Sequence, residues 1–283
     1  MLNPASTMPI IFTDLDGSLL DHYTYSFSAA TPLLEELNGK DIPVIPVTSK
    51  TYAEVLRLRR FMGNNHPFIT ENGAAVFIPK GYFPKKPKNF IESGDFWVLR
   101  NSQSRDYWLE LLRKKAADFS AEFETFSSVI EKDGLEGLAQ LTGLSTQQAE
   151  QSHRRQHSEP IIWTGSKRRR AAFVECLSNS EAKLLQGGRF LSLGGQTDKG
   201  AALLQLKSIY AANHPSAALQ SLAIGDSDND INMLEVADSA LVIRSSNHQP
   251  PSLPRHQNSL TTENLGPQGW VEGVSRWLQA YSF

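Results

Sequence analysis

The sequence predicts an α/β fold, with a Rossmann-like parallel-sheet core carrying helices on both faces and an inserted α/β cap domain. Three observations predict it. Short, wholly apolar runs such as Ile10-Ile11-Phe12 and Leu222-Ala223-Ile224 alternate with helical stretches near both ends of the chain, as strands buried on both faces of a parallel sheet do. Between them, from about Phe83 to about Gly187, the texture changes to longer helical segments with isolated strands. Finally, 283 residues, 40% of them hydrophobic, suffice for a core domain plus a second module. The core is expected over residues 1–83 and 187–283, and the inserted domain over 84–186.

In chain order, Ile10 to Thr13 reads as the first buried strand. Ser28 can cap a helix through Leu37 that Gly39 closes. Pro43 to Val47 follows as a second strand, irregular or near an edge because of its prolines. Thr51 to Met62 is helical and ends at Gly63. Phe68-Ile69-Thr70 and Ala75 to Ile78 read as two strands around a turn, since Asn72-Gly73 between apolar runs is a hairpin signal. In the insertion, helices are expected over 105–119, 131–140, 146–155 and 168–177, with strands at 96–99 and 160–163. Gly187 and Gly188, followed by Phe190 to Leu193, mark re-entry into the core. Helix 199–212, strand 222–224, helix 230–236 and strand 240–243 restore the α/β rhythm, and 270–281 reads as a last amphipathic helix. Residues 245–267, rich in Ser, Asn, Pro and Gln, read as surface loop.

A formal charge of −2 supplies no broad positive field for nucleic acid or anionic membrane, so neither is expected as a partner. The basic run Lys167 to Arg170 reads as the exposed start of a helix. The single cysteine, Cys176, excludes an internal disulfide and a cysteine-rich metal site, and its apolar neighbours make it core filler. The apolar stretch Pro9 to Phe12 is too short for a signal peptide or a membrane span. A soluble, cytoplasmic protein, monomeric or homodimeric, acting on a small metabolite is the expectation.

The chemistry gathers where strands end. Asp14-Leu15-Asp16-Gly17-Ser18 follows the first strand, at the carboxyl edge where open parallel sheets place ligands. With Gly17 turning the chain, Asp14 can face a substrate phosphorus and Asp16 the leaving oxygen. Alone, an Asp-x-Asp pair would be two carboxylates solvating a turn. Gly225-Asp226-Ser227-Asp228-Asn229-Asp230 follows another buried strand, and its acidic groups would repel one another unless a hard cation gathered them. Magnesium suits all-oxygen ligands, so Asp14 and Asp226 with a backbone carbonyl form a reasonable set. Ser227, Asn229 and Asp230 would then hold a metal-bound water or steady the loop, while Asp228 complements a helix dipole. Thr48 and Ser49, between a strand and a helix start, offer hydroxyl and N–H groups to phosphate. Lys199, opening another helix, can neutralise a transferring phosphoryl group, although a lysine there is more often simply exposed.

In chain order the four signals, Asp14 to Ser18, then Thr48-Ser49, then Lys199, then Gly225 to Asp230, resemble the haloacid dehalogenase superfamily. The insertion after the second motif, with Thr70 to Ala74 and Asp198 to Ala201, is similar to its Cof-like branch. The resemblance implies a phospho-aspartyl mechanism: Asp14 as nucleophile, Asp16 as general acid/base and backbone magnesium ligand, Asp226 as metal ligand, Ser49 (with Thr48 beside it) and Lys199 on phosphate. Ser158 to Trp163 and Gly187 to Leu191 resemble segments of mannosyl-3-phosphoglycerate phosphatases. That likeness implies a glycosyl-3-phosphoglycerate substrate, with Arg189 gripping the glycerate carboxylate and Glu159 accepting from sugar hydroxyls. Structural roles for both are the alternative. A phosphatase for another sugar phosphate or phosphorylated cofactor, or a phosphosugar mutase, has the same motifs. A signalling receiver domain needs neither Asp16 nor a hundred-residue insertion, and no G-x-G-x-x-G follows the first strand as a dinucleotide binder requires.

Overall fold

The structure, a computed structural model, describes residues 6–187, 190–281 and 283. Its elements are, in order, β1 (Ser6–Thr13), α1 (Thr31–Gly39), β2 (Val44–Pro46), α2 (Tyr52–Phe61), β3 (Phe68–Thr70), β4 (Ala75–Pro79), β5 (Ile91–Ser93) and β6 (Phe96–Arg100). Next come α3 (Arg105–Lys115), β7 (Phe123–Thr125), α4 (Phe126–Thr142), α5 (Thr146–His153), β8 (Glu159–Trp163), α6 (Lys167–Ser178), β9 (Ala182–Gly187) and β10 (Phe190–Gly195). The chain closes with α7 (Lys199–Asn213), β11 (Ala217–Gly225), α8 (Ile231–Val236), β12 (Ser239–Arg244), β13 (Ser259–Leu265) and α9 (Gly266–Tyr281). Among the described residues no helix is long and apolar enough to cross a membrane.

The chain divides into two compact units, one of residues up to 48, 59–99 and 198 onward, the other of 49–58 and 100–197. In the first, five strands form a parallel sheet in the order β13-β12-β11-β1-β2. Alternation along β1 explains helices on both sides of it. Ile10 and Phe12 join one buried cluster with Leu203, Leu206 and Tyr210 of α7 and Met233 and Leu234 of α8. On the alternate face, Thr13 Oγ1 accepts a hydrogen bond at 3.0 Å from the indole of Trp270, a fully buried residue of α9. A second sheet, β3-β4-β6-β5, belongs largely to the same unit, where Val47 bridges to Ile69.

The other unit has its own sheet, β7-β8-β10-β9, antiparallel throughout. Ile161, Leu191 and Leu193 face Trp108, Leu112, Phe119, Phe173 and Leu177, whereas Ile162 and Phe190 pack against Phe126, Val129 and Leu138. Helices therefore cover both faces here as well. Cys176 is partly buried against the first of these clusters. The basic run opens α6, with Ser166 accepting from Arg169 N–H at 3.2 Å.

Four expectations shift. The units divide at 48/49, 58/59, 99/100 and 197/198, where 83/84 and 186/187 are expected; β5 and β6 extend the hairpin sheet of the first unit. The run Phe190 to Leu193 lies in β10, paired with β9, so it does not re-enter the core; Gly188 lies outside the described residues. The expected helix 131–140 is longer, since Thr125 caps it through the Ser128 N–H and the chain continues across a left-handed kink at Gly134. Residues 245–267, expected as loop, contain β13.

Candidate active site

Register brings the acidic loops together. Thr13 pairs with Ile224 across β1 and β11, and Asp14 N–H donates to Ile224 O at 2.8 Å, so Asp14 and Asp226 leave adjacent strands at the same edge. On the other side of β1, Val47 N–H donates to Thr13 O at 2.8 Å, which delivers the buried Thr48 to that edge too. After Asp14 the chain reverses through bonds from Gly17 N–H to Leu20 O at 2.9 Å and from Leu20 N–H to Leu15 O at 2.8 Å. Gly17 has φ of +80°, and a Cβ there would lie 2.5 Å from Asp226 Oδ2, so no side chain fits between the two loops.

Lys199 joins the pieces from the start of α7. Asp198 caps that helix, accepting from Ala201 N–H at 2.8 Å, and Asp198 O runs so close to Gly73 that a Cβ on Gly73 would meet it at 2.2 Å. The Lys199 ammonium is fully buried and donates to Asp14 Oδ1 and Asp230 Oδ1, both at 2.6 Å. Asp230 Oδ2 accepts from the N–H groups of Asp226 and Ser227, both at 3.1 Å, and from Ser227 Oγ at 3.3 Å. Ser227 Oγ also donates to Asn229 Oδ1 at 2.6 Å. Both oxygens of Asp230 are thus engaged in shaping the loop, and Asn229 steadies it as well. Asp228 is exposed.

Ligand atoms of Asp14, Asp226 and Asp230 lie within 4.8 Å of one another, and all three residues are buried. Burial first, then the charges of Asp230, Asp226 and Asp16, hold the Asp14 carboxyl well above its ordinary range against the downward pull of Lys199. Burial and then Asp230 push Asp226 up to about 7. Burial alone would lower Lys199, but its contacts with Asp14 and Asp230 outweigh that and hold it above its usual value. One ammonium among four neighbouring carboxylates leaves an excess of negative charge in a water-poor setting. The donor set fits a hard divalent cation, and with Asp230 occupied the carboxylates left to hold it are Asp14 and Asp226.

The structure therefore brings together Asp14, Asp16, Lys199, Asp226, Ser227, Asn229 and Asp230, with Thr48 on the same sheet edge. Ser49 opens the second unit, where its carbonyl accepts from Arg155 Nη1 at 3.2 Å. Glu159, expected at sugar hydroxyls, is fully buried inside the second unit: it pairs with Arg105 and accepts from Ser127 N–H at 2.8 Å. Its carboxylate holds Arg105 in place rather than presenting itself to a ligand. Arg189 lies outside the described residues.

Two residues escaped the sequence reading. Asn72 is a left-handed residue (φ 57°) whose Oδ1 accepts from Asn229 Nδ2 at 3.1 Å, tying the β3–β4 connection to the acidic loop. The Asn-Gly pair signalled its backbone but not this bond. His248 places Nε2 3.4 Å from Asp226 Oδ2, from a stretch with no periodicity to announce it.

Comparison with known proteins follows the same lines. The family model described as haloacid dehalogenase-like hydrolase matches residues 11–88. A protein of Methanococcoides burtonii named glucosyl-3-phosphoglycerate/mannosyl-3-phosphoglycerate phosphatase is 34% identical over 273 residues, covering 94% of this chain and 95% of its own. One of the same name from Persephonella marina is 34% identical over 278 residues, 95% and 97% of the two chains. Among solved structures, a haloalkanoate-superfamily phosphatase from Bacteroides thetaiotaomicron superposes with TM-score 0.66 at 14% identity, covering 98% of this chain and 96% of its own. A sucrose-phosphatase from Synechocystis, solved with sucrose and phosphate, gives 0.61 at 17%, covering 96% and 98%. At these identities the two structures speak for the fold.

Proposed function

This chain belongs to the haloacid dehalogenase-like hydrolase family, and on that premise we propose that it is a magnesium-dependent phosphatase of glucosyl- or mannosyl-3-phosphoglycerate, working through a phospho-aspartate on Asp14. The observation that carries the chemistry is the buried trio of Asp14, Lys199 and Asp226 at one sheet edge. End-to-end similarity to two phosphatases named for that substrate pair supports the choice of ester.

In this reading an Asp14 carboxylate oxygen attacks phosphorus while the P–O bond to the glycerate breaks, and Asp16 gives its proton to the departing oxygen. Water then attacks the aspartyl phosphate, Asp16 takes the water's proton, and inorganic phosphate leaves. Lys199 serves twice. It favours the ionised form of Asp14 that attack requires, and it offsets charge on the transferring oxygens. Thr48 and Ser49 are assigned to phosphate. Magnesium, held by Asp14, Asp226 and the Asp16 carbonyl, would supply Lewis-acid neutralisation of phosphoryl charge. These groups serve any phosphate ester, so discrimination among esters is assigned to the inserted unit, with Arg189 on the glycerate carboxylate.

The test is phosphate release from both glycosyl-3-phosphoglycerates beside free 3-phosphoglycerate and hexose phosphates, with magnesium and with EDTA. The glycosyl esters should be preferred, EDTA should abolish turnover, and Asp14→Asn should lose at least about a thousandfold. Indifference to both glycosyl esters would remove the substrate reading and leave the phosphatase reading in place. Full turnover in EDTA would remove the metal.

A further inference from the structure

Ser245 to Gln249 follow β12 in a stretch that composition alone reads as surface loop. Asn247 is nevertheless fixed at two points. Its N–H donates to Ser245 Oγ at 3.2 Å, and its side-chain Oδ1 accepts from the Tyr23 hydroxyl at 2.7 Å. Tyr23 is 69% exposed, so burial of the ring does not account for where its hydroxyl points. The loop bearing Tyr23 is itself braced: Asp21 Oδ1 accepts from Tyr23 N–H at 3.2 Å, Thr24 N–H at 2.8 Å and Thr24 Oγ1 at 2.7 Å.

His248, the next residue, lies with Nε2 3.4 Å from Asp226 Oδ2 and Nδ1 3.1 Å from the Gln249 carbonyl oxygen. Among the described residues no other Lys, Arg or His nitrogen comes within 4.0 Å of the Asp226 carboxylate. The same Oδ2 packs against Gly17 from another direction. A carboxylate rotates easily about its last torsion, and these two neighbours restrict that rotation.

We infer that His248, latched by the Tyr23–Asn247 hydrogen bond, is a positioning residue that orients the Asp226 carboxylate for the divalent cation. The inference rests on the metal site of the proposed function. A ligand already oriented loses less freedom when the cation arrives, and removing such outer contacts typically costs ten- to a hundredfold in metal affinity. His248 is 39% exposed along its side chain, so the lower end of that range applies.

Calorimetric titration of the metal-free protein with magnesium chloride, with no substrate present, tests it. His248→Ala should raise the magnesium Kd about tenfold. His248→Gln, which keeps a terminal donor near the same point, should recover most of that loss. Tyr23→Phe removes only the latch hydroxyl and should raise Kd about three- to fivefold. Unchanged or tighter binding in His248→Ala overturns the inference, as does a loss that His248→Gln fails to reduce. A Tyr23→Phe protein that binds like wild type overturns the latch. If wild-type protein itself takes up no magnesium, the metal reading fails instead, which is a separate result.

Discussion

Replacing Lys199 with methionine tests the electrostatic account of the site most directly. The substitution keeps an unbranched chain of similar length and removes the ammonium, with its two hydrogen bonds of 2.6 Å to Asp14 and Asp230. Lys199 and Asp230 are fully buried and Asp14 is 6% exposed, so water cannot substitute for the lost partner. Breaking a buried ion pair by deleting one member costs about 3–5 kcal/mol, chiefly because the other charge is stranded. Here one cation serves two carboxylates, which places the expected loss in the upper part of that range. The pH dependence has a definite sign. Without the ammonium, folded-state carboxyl pKa values rise further above the ordinary 3.8, and the folded variant binds protons that the unfolded chain does not. Its stability therefore falls as pH rises through that window, and the deficit against wild type is largest at pH 8 and smaller at pH 5.5. Urea unfolding of both proteins in EDTA at the two pH values measures it. A deficit below about 1 kcal/mol at pH 8, or one that grows on acidification, would refute the placement of Lys199 as the site's buried counter-charge.

Gly17→Ala should raise the magnesium requirement at least about tenfold, since its methyl group meets Asp226 Oδ2 at 2.5 Å and the backbone sits at φ +80°; metal titration of turnover measures this, and a wild-type curve would contradict the close approach. Magnesium uptake at pH 6 should release protons, because Asp226, pushed up to about 7, is largely protonated in the metal-free protein; affinity should weaken at least about tenfold per pH unit below 7, seen by calorimetry in buffers of different ionisation heat. His66, lowered to about 4 by burial, makes stability rise with pH between about 4 and 6.5, but lies outside the acidic cluster, so the difference between metal-bound and metal-free curves belongs to the site. Arg189→Ala should cost about ten- to a hundredfold in kcat/KM on a glycosyl-3-phosphoglycerate and little on p-nitrophenyl phosphate, and equal losses on both would make it structural.

What the sequence displayed and what it hid follow from burial. Ile10 to Phe12 and Leu222 to Ile224 are legible as strands because both faces are covered and every position is apolar. Asp14, Lys199 and Asp226 are legible because each stands at an element boundary, where a polar group must have either water or a purpose. In β13 only Thr262 is buried; an edge strand facing solvent carries almost no apolar pattern, so its stretch reads as loop. The dividing lines between units are hard to read from sequence for a related reason: β5 is exposed throughout and β9 is an outer strand, so neither announces which sheet it joins. Glu159 shows a different limit. Its type and neighbours suit a hydroxyl acceptor, and only the fold reveals the pairing with Arg105, 54 positions away, that takes the carboxylate out of circulation.

The same distinction between an available and an engaged carboxylate decides the chemistry at the acidic edge. The ligand atoms of Asp14, Asp226 and Asp230 are near-equals in space, although the sequence assigns Asp230 to the loop rather than to the metal. Hydrogen bonding separates them. Asp230 receives Lys199 on one oxygen and three donors on the other, so a cation binding there would have to displace bonds that hold the loop's own backbone. Asp226 has the partly exposed His248 ring 3.4 Å from one oxygen, and Asp14 receives Lys199 on one oxygen. A cation would therefore relieve repulsion at Asp14 and Asp226 at little structural cost, whereas at Asp230 it would unmake the turn that aims Asp226. It follows that Asp230→Asn, which keeps an acceptor but lacks the charge, should harm loop stability and the anchoring of Lys199 more than it harms the number of metal ligands.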